Sequence, residues 1–336
     1  MDRVQKALSV IDLAGRGLEI GPSYSPLIPK SSGARIETVD HDDREALRTK
    51  YQAWGLSLDK IDQIEEVDHI WGGGSLVDVV PDLGAYDYIL ASHFIEHTVD
   101  LIAFLRDCET LLSEHGRLSL VVPDKRFCFD RFQPLTSIGD VIDAHHRPTK
   151  FHPPGALLDH QSYACAKDGA IAWSAGDEGQ LAAQFPDLQG AGEVIEQGIA
   201  QDTYRDTHRW KFTPASFHLL LSDLAALGEH SFGVVQSFPT EGFEFFVTLE
   251  KGRPREHFDR IATLLDIEAE LAAASAMCRP LTDARASDSI DVLRQRNAAL
   301  QARIADFESS TSWRATQPLR YASRRFRSLR RRFGRT

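Results

Sequence analysis

Hydrophobic positions along this chain form short runs separated by segments with helical spacing. Mostly apolar runs predict parallel strands over residues 18–20, 35–39, 67–70, 86–91 and 118–122. Apolar residues recur every three or four positions from Leu101 to Leu112, which predicts a helix that stops near Gly116. Strands that alternate with helices indicate an α/β fold with a doubly wound, mostly parallel sheet.

A second regular region follows residue 212. Thr213 and Pro214 are typical of an N-cap and a first helical position, and Gly228 is typical of a helix end. Strands predicted over 232–238 and 243–249 form a C-terminal antiparallel hairpin, which completes seven strands and a domain over 1–252. Residues 133–210 show little periodicity, and we expect an inserted lid or binding element there.

The pattern changes again in the C-terminal part, where we expect a helical segment over 253–310. Apolar residues alternate by three and four across 290–307, with Asn297 at an a position that fixes two-stranded register. This spacing predicts either a homodimeric coiled coil or an amphipathic helix packed on its own domain. The remaining 311–336 form a basic tail.

Charge is distributed unevenly over the 336 residues. The net charge is −11, and 314–336 contain nine Arg and no acid, which leaves −20 on residues 1–313. An acidic body argues against nucleic acid as a partner, whereas the tail predicts an amphipathic segment on an anionic membrane surface or a disordered tail. Four scattered cysteines and the lack of a long apolar run predict a cytoplasmic protein, and a membrane-bound tail would make it peripheral at the inner face of the plasma membrane.

The chemistry centres on the run Gly17-Leu18-Glu19-Ile20-Gly21-Pro22, with Asp40 about twenty positions on. A glycine turn after one strand and an acid at the tip of the next form an adenosine site in α/β sheets. The G-x-G-x-x-G pattern is missing, and prolines at 22, 26 and 29 prevent a long helix directly after the turn. Because a dinucleotide needs that helix N-terminus for its pyrophosphate, these residues favour S-adenosylmethionine over NAD.

Residues 12–250 resemble bacterial class I S-adenosylmethionine-dependent methyltransferases of the type 11/23 kind. The resemblance rests on the motifs Leu18–Pro22, Val39-Asp40, Tyr86–His97 and Gly116–Asp124. It implies that Glu19, Gly21 and Pro22 shape the methionine end of the donor site and that Asp40 binds the ribose. It further implies that Asp68 lies after strand three near the adenine amine, and that Ser92 and His93 line the floor between donor and acceptor.

The acceptor side is expected beyond the fifth strand, since ligands of open α/β sheets lie at the carboxyl ends of strands. Arg126, Asp130 and Arg131 are therefore candidate substrate-binding residues. A hydroxyl acceptor needs a base, and the candidates are His93, Asp124 and His208.

Two histidine patterns raise the question of a metal. His93 to His97 match H-x-x-E-H, the inverted zinc-protease motif, but that site needs a long helix and here the motif follows a strand. The spacing of His145, His146, His152 and His160 matches no standard site. We therefore expect no metal, and a zinc hydrolase remains only an alternative.

The segment Ser310–Arg320 resembles a Ser-Trp-Arg-x-Thr-x-Pro-Leu-Arg stretch of bacterial surface-polysaccharide enzymes. This resemblance implies O-methylation of a sugar or glycan acceptor. The alternative is a methyltransferase-like scaffold without turnover that holds a polysaccharide-assembly complex.

Overall fold

The computed structural model describes residues 1–185, 192, 204–254 and 258–276. Nine strands occur in these residues, and seven of them share one sheet. The strands are β1 (Arg16–Ile20), β2 (Arg35–Asp40), β3 (His69–Ile70), β4 (Tyr86–Ser92), β5 (Leu112–Pro123), β6 (Cys165–Lys167), β7 (Leu181–Ala183), β8 (Gly233–Glu241) and β9 (Glu244–Glu250).

The order of the large sheet is β3-β2-β1-β4-β5-β9-β8. The pairings from β3 to β5 are parallel, whereas β9 runs antiparallel to both β5 and β8. This is a doubly wound, mostly parallel Rossmann-like sheet with a C-terminal antiparallel hairpin, and it confirms the predicted fold class. The carboxyl ends of β1, β2, β4 and β5 consequently meet at one edge.

Eight α-helices accompany the strands in the described residues. They are α1 (Arg3–Ala7), α2 (Arg44–Ala53), α3 (Leu58–Ile61), α4 (Leu101–Leu111), α5 (Ile138–His146), α6 (Pro154–Tyr163), α7 (Pro214–Leu227) and α8 (Arg260–Ala276). The predicted caps of α7 are confirmed, since the Thr213 side chain accepts the Ser216 N–H and Gly228 adopts a left-handed conformation at φ +81°.

The two faces of the sheet are covered differently. On one face, α4 and α7 pack against the strands through buried residues such as Leu105 and Leu224. On the other face, a smaller core joins Leu27 and Ile28 of the β1–β2 connection to Leu90. Residues 21–34 contain no α-helix, and their regular structure is a 3-10 turn over Lys30–Ser32. As predicted, no long helix follows the turn in this connection, which contains the prolines at 22, 26 and 29.

The 133–210 region contains elements that the sequence pattern did not reveal. α5, α6 and the β6–β7 hairpin lie within its described part. The Phe129 N–H donates to Ile171 O at 2.8 Å, which ties this region to the segment after β5. The insertion is therefore built against the carboxyl edge of the large sheet.

The compact unit that contains the sheet lies within Met1–Cys278. α8 belongs to this unit, because Glu270 accepts the Ala215 N–H at 3.3 Å and Arg260 pairs with Asp223. The coiled-coil prediction for 290–307 and the membrane prediction for 314–335 fall outside the described residues. None of the described helices is long and apolar enough to cross a membrane.

Candidate active site

Gly21 forms the turn at the carboxyl end of β1. Its N–H donates to Val39 O at 2.8 Å, and its φ of +66° is one that side-chain-bearing residues rarely adopt. A Cβ at this position would lie 2.9 Å from Cδ2 of Phe94. Glycine is therefore required both by the backbone conformation and by the close approach of the loop after β4.

Asp40 lies beside this turn at the carboxyl end of β2. Its carboxylate accepts the Ser23 N–H at 3.0 Å and the Ser23 hydroxyl at 3.2 Å, while the other oxygen accepts the His41 N–H at 2.8 Å. Pro22, Ser23 and Asp40 line a small cavity of about 10 Å³, and Asp40 is buried. The structure thus brings three of the predicted donor residues, Gly21, Pro22 and Asp40, to one place.

Glu19 lies beneath the β1–β2 connection. Its carboxylate accepts the N–H groups of Leu27 at 2.6 Å and Ile28 at 3.2 Å. Burial raises the pKa of Glu19 to about 7, and the two amide donors oppose this rise only partly. Only 1% of the residue is exposed, so Glu19 holds the loop under the predicted donor site and is covered by it.

The predicted position of Asp68 after strand three is wrong. β3 begins at His69, so Asp68 precedes it, and the Asp68 carboxylate accepts the Thr38 N–H at 2.8 Å and pairs with Lys30. The residue after β3 is Trp71, whose N–H donates to Asp40 O at 2.8 Å and whose ring packs against Phe94. The strand predicted over 67–70 ends at the same residue as β3, so the position of Asp68 after it came from the resemblance, and the sequence reasoning missed Trp71, which directly follows the predicted strand.

The end of β4 carries Ser92 and His93. Arg3 of α1 donates to Ser92 Oγ at 2.6 Å and pairs with Glu244 of β9 at 2.8 Å. His93 has a left-handed φ of +51°, which directs its ring so that Nε2 lies 2.7 Å from Glu244 Oε2. Burial opposes the charged form of His93, but Glu244 and then Glu96 raise its pKa to about 9.

The H-x-x-E-H motif does not form a helix of the zinc-protease kind. Its last three residues, Ile95–His97, form a single 3-10 turn after the strand. Glu96 is completely buried, and three histidine nitrogens approach its Oε1. The distances are 3.6 Å from His93 Nδ1, 3.8 Å from His97 Nε2 and 3.9 Å from His208 Nε2.

Each of these histidines has a carboxylate at its other ring nitrogen. His97 Nδ1 lies 2.8 Å from Asp206 Oδ1, and His208 Nδ1 contacts Asp130 Oδ2. Burial opposes the charged form of His97, but Asp206 raises its pKa. We call Glu96, His93, His97, His208 and their three carboxylate partners Glu244, Asp206 and Asp130 the histidine cluster.

His208 reaches this cluster from a distant part of the chain. The N–H groups of Arg209 and Trp210 donate to Glu96 O at 2.7 Å and 3.2 Å, and the Trp210 indole N–H donates to Thr98 O at 2.7 Å. These bonds join the segment before α7 to the turn after β4. Two of the predicted bases, His93 and His208, are thereby brought together with the substrate candidate Asp130.

Asp124 and Arg126 lie apart from the histidine cluster as a buried pair. Arg126 Nη2 lies 2.5 Å from Asp124 Oδ2, and the Thr240 hydroxyl donates to the same oxygen at 2.5 Å. Arg131 donates to Arg126 O at 2.6 Å and to Ala274 O at 2.6 Å. The structure therefore engages Asp124, Arg126 and Arg131 with the protein itself, and their predicted roles toward substrate receive no support from these contacts.

A cleft opens beside the histidine cluster. It has a volume of about 330 Å³ and is lined by Leu157, His160, Gln161, Phe185, Arg205 and Asp206. Asp206 belongs to both the cleft and the cluster, so the cleft leads from the insertion to the ends of β4 and β5. The four histidines of the second sequence pattern, at positions 145, 146, 152 and 160, do not form one cluster. His145 contacts Asp100, and His152 packs against Tyr204.

No family model and no curated protein sequence matches this chain. Among solved structures, an S-adenosylmethionine-dependent methyltransferase from Mesorhizobium loti aligns with a TM-score of 0.36 and 10% identity, over 73% of this chain and 95% of the other. A methyltransferase from Aquifex aeolicus aligns with a TM-score of 0.33 and 11% identity, over 74% and 89%. A Rhodobacter sphaeroides protein named among Zn-dependent alcohol dehydrogenases aligns with a TM-score of 0.40 and 13% identity, over 76% and 91%. Scores this low carry no argument about function, which must rest on this chain's own residues.

Proposed function

We propose that this protein is an S-adenosylmethionine-dependent methyltransferase. The observation that carries the proposal is the passage from β1 to β2 through Gly21 without an α-helix. A dinucleotide would find no helix N-terminus for its pyrophosphate at this turn, whereas S-adenosylmethionine has no phosphate to place. Asp40 beside the turn supplies the carboxylate that a ribose needs.

The residues at this edge fit the nucleoside end of the donor. The Asp40 carboxylate already accepts one hydroxyl, that of Ser23, at 3.2 Å. Ribose hydroxyls can take the place of this contact, and the 10 Å³ cavity requires the turn at Pro22 and Ser23 to move outward when a base enters. When bound, S-adenosylmethionine supplies a methyl group activated by a sulfonium.

A hydroxyl acceptor fits the histidine cluster. Transfer to oxygen releases a proton, and His208 offers Nε2 while Asp130 holds its other ring nitrogen. In-line transfer otherwise depends on positioning, which rigid contacts at the ends of β4 and β5 support. His208 is thus the residue to which we assign the acceptor proton.

The acceptor class we propose is a sugar or glycan of cell-surface polysaccharide synthesis. The cleft beside the cluster combines hydrogen-bonding groups of Gln161, Arg205 and Asp206 with the ring of Phe185, a combination suited to sugar hydroxyls and faces. The resemblance of Ser310–Arg320 to polysaccharide-enzyme tails supports the same class.

The donor assignment is tested by calorimetric titration of the full chain with S-adenosylmethionine and, separately, with NAD. We expect binding of S-adenosylmethionine alone, and at least a tenfold weaker affinity in Asp40→Asn. Asp68→Asn is the matched control, because Asp68 precedes β3 and so lies away from the carboxyl ends of the strands. This variant should bind S-adenosylmethionine with the same affinity as the wild type. Binding of NAD, or an unchanged affinity in Asp40→Asn, contradicts the proposal.

Transfer itself is tested with S-adenosylmethionine carrying a labelled methyl group and a panel of nucleotide sugars and glycans. Label in an acceptor hydroxyl is the expected result. Donor binding without label in any acceptor or in cell-envelope extract would favour the scaffold without turnover.

A further inference from the structure

The centre of the histidine cluster has the composition of a metal site. Glu96, His97 and His208 each offer one ligand atom, and within the described part of the chain these atoms lie within 4.8 Å of one another. Two of the residues come from one turn after β4, and the third comes from the segment before α7. Glu96 and His97 belong to the H-x-x-E-H motif, whereas the third ligand, His208, is brought to them only by the fold.

The Glu96 carboxylate provides the first observation that indicates a cation site in the cluster. Glu96 is 0% exposed, and neither of its oxygens accepts a hydrogen bond. A buried carboxylate without a hydrogen bond is costly, and proteins compensate such charges with hydrogen bonds, cations or metal ions. The side chain is aimed at the point that the histidine nitrogens surround.

The histidines are oriented in the way that metal-bound histidines are. His208 Nδ1 contacts Asp130, which fixes that nitrogen as the protonated one, and His97 Nδ1 lies 2.8 Å from Asp206 Oδ1. Their Nε2 atoms then face Glu96 as acceptors. At 3.8 Å and 3.9 Å from Oε1, they are too far away to form hydrogen bonds.

We propose that Glu96, His97 and His208 bind a divalent transition-metal ion. Metal–ligand bonds of about 2.0–2.2 Å place neighbouring ligand atoms about 3.0–3.5 Å apart. The two separations from Glu96 Oε1, 3.8 Å and 3.9 Å, would contract by about half an ångström, and the third, within 4.8 Å, by up to about 1.5 Å. Two imidazoles and one carboxylate suit Zn²⁺ or Fe²⁺, whereas Mg²⁺ and Ca²⁺ take oxygen ligands.

His93 flanks the site without belonging to the three ligands. Its Nδ1 lies 3.6 Å from Glu96 Oε1, and its Nε2 lies 2.7 Å from Glu244. His93 is thus a positioning residue for Glu96, and protonated histidines around Glu96 are the alternative to a metal ion.

The metal site rests on this geometry alone and goes beyond the proposed function. One consequence does rest on that function: a bound metal would coordinate the acceptor hydroxyl and lower its pKa, so that the hydroxyl proton would leave to solvent and His208 would be a ligand instead of the base assigned to the metal-free protein. Metal binding is measured without donor or acceptor, so its failure and the failure of the methyltransferase proposal are separate results.

The test uses the full chain after chelator treatment and dialysis. We expect elemental analysis to find one Zn²⁺ or Co²⁺ per chain after reloading at pH 7.5. The Co²⁺ form should show visible d–d absorption, and X-ray absorption of the Zn²⁺ form should show two imidazole ligands with oxygen ligands. These wild-type measurements remain informative even if the variants fail to fold.

Glu96→Gln and His208→Gln should each weaken Zn²⁺ affinity about 100-fold or more. His146→Gln is the control, since His146 is exposed on α5 and should leave the affinity unchanged. Wild-type protein without stoichiometric metal overturns the proposal and favours the protonated cluster. Equal affinity in folded Glu96→Gln and wild type places the metal elsewhere and overturns it as well.

Discussion

The Glu19 carboxylate accepts the backbone N–H of Leu27 at 2.6 Å and so anchors the loop that stands in for a helix between β1 and β2. The connection contains no α-helix, so its amides cannot be satisfied by helical bonding. Glu19 of β1 thereby supports the loop that borders the proposed donor site. Its own side chain is buried beneath this loop.

The burial of Glu19 predicts a specific pH dependence of stability. Burial raises the pKa of Glu19 to about 7, above its value in the unfolded chain, so the folded state holds its proton more tightly. The contribution is fully present below about pH 4.5 and is lost as the pH rises through about 7, and it amounts to about 3 kcal/mol.

Urea unfolding at pH 4.5 and pH 7.5 measures this contribution when wild type is compared with Glu19→Gln. The free energy of unfolding of wild type should fall by about 3 kcal/mol more than that of the variant over this interval. Parallel pH profiles for the two proteins would show that Glu19 does not titrate in this range.

Gly21 should be far less tolerant of a side chain than another left-handed glycine nearby. Gly33 has φ +81° with nothing within 4 Å of a Cβ, whereas a Cβ at Gly21 would lie 2.9 Å from Phe94. We expect Gly33→Ala to lose about 1 kcal/mol of unfolding free energy and Gly21→Ala to lose about 2–4 kcal/mol. Gly21→Ala should also bind S-adenosylmethionine more weakly, by calorimetry, whereas Gly33→Ala should not.

A substitution of Asp124 can distinguish a structural role of this residue from its predicted role as the catalytic base. It is 0% exposed and pairs with Arg126, so Asp124→Asn should cost about 3–5 kcal/mol in unfolding free energy by leaving a buried guanidinium uncompensated. The double variant Asp124→Asn with Arg126→Met should recover part of this loss. Methyl transfer per folded molecule should stay within a few-fold of wild type, and a loss of 100-fold in a folded variant would identify Asp124 as catalytic.

The sheet could be predicted from the sequence because local signals agree along it. Apolar runs, the cap at Thr213 and the stop at Gly228 each specify structure within a few neighbouring residues. Asp40 could be predicted for the same reason, since it ends a clear strand next to a glycine turn. Asp68 lies within the strand predicted over 67–70, and its position after this strand was implied only by the resemblance, which the start of β3 at His69 contradicts.

The histidine cluster could not be predicted because it depends on contacts between distant parts of the chain. His97 and His208 are 111 positions apart in the sequence and meet only because the segment before α7 bonds to the turn after β4. His93 requires a left-handed backbone that no sequence pattern specified. Asp124 and Arg126 looked available for substrate because their charges are visible in the sequence, while their pairing is not.

The indole N–H of Trp210 stabilises the contact between the segment before α7 and the turn after β4. Removing this group should therefore affect the histidine cluster. The Nε1–H donates to Thr98 O at 2.7 Å and lies 3.0 Å from Thr98 Oγ1, in a residue that is only 2% exposed. Trp210→Phe keeps an aromatic ring but leaves the Thr98 carbonyl without this donor, at a cost of about 1–3 kcal/mol in unfolding free energy.

Trp54→Phe is the matched control, because Trp54 is 65% exposed and the same change should alter stability by less than about 0.5 kcal/mol. Since Trp210 adjoins the segment that carries His208, Trp210→Phe should also weaken Zn²⁺ binding while leaving S-adenosylmethionine affinity at Asp40 unchanged. Chemical unfolding and the two calorimetric titrations check these expectations. An equal loss of both affinities would mean that Trp210 stabilises the whole sheet edge and not the histidine cluster in particular.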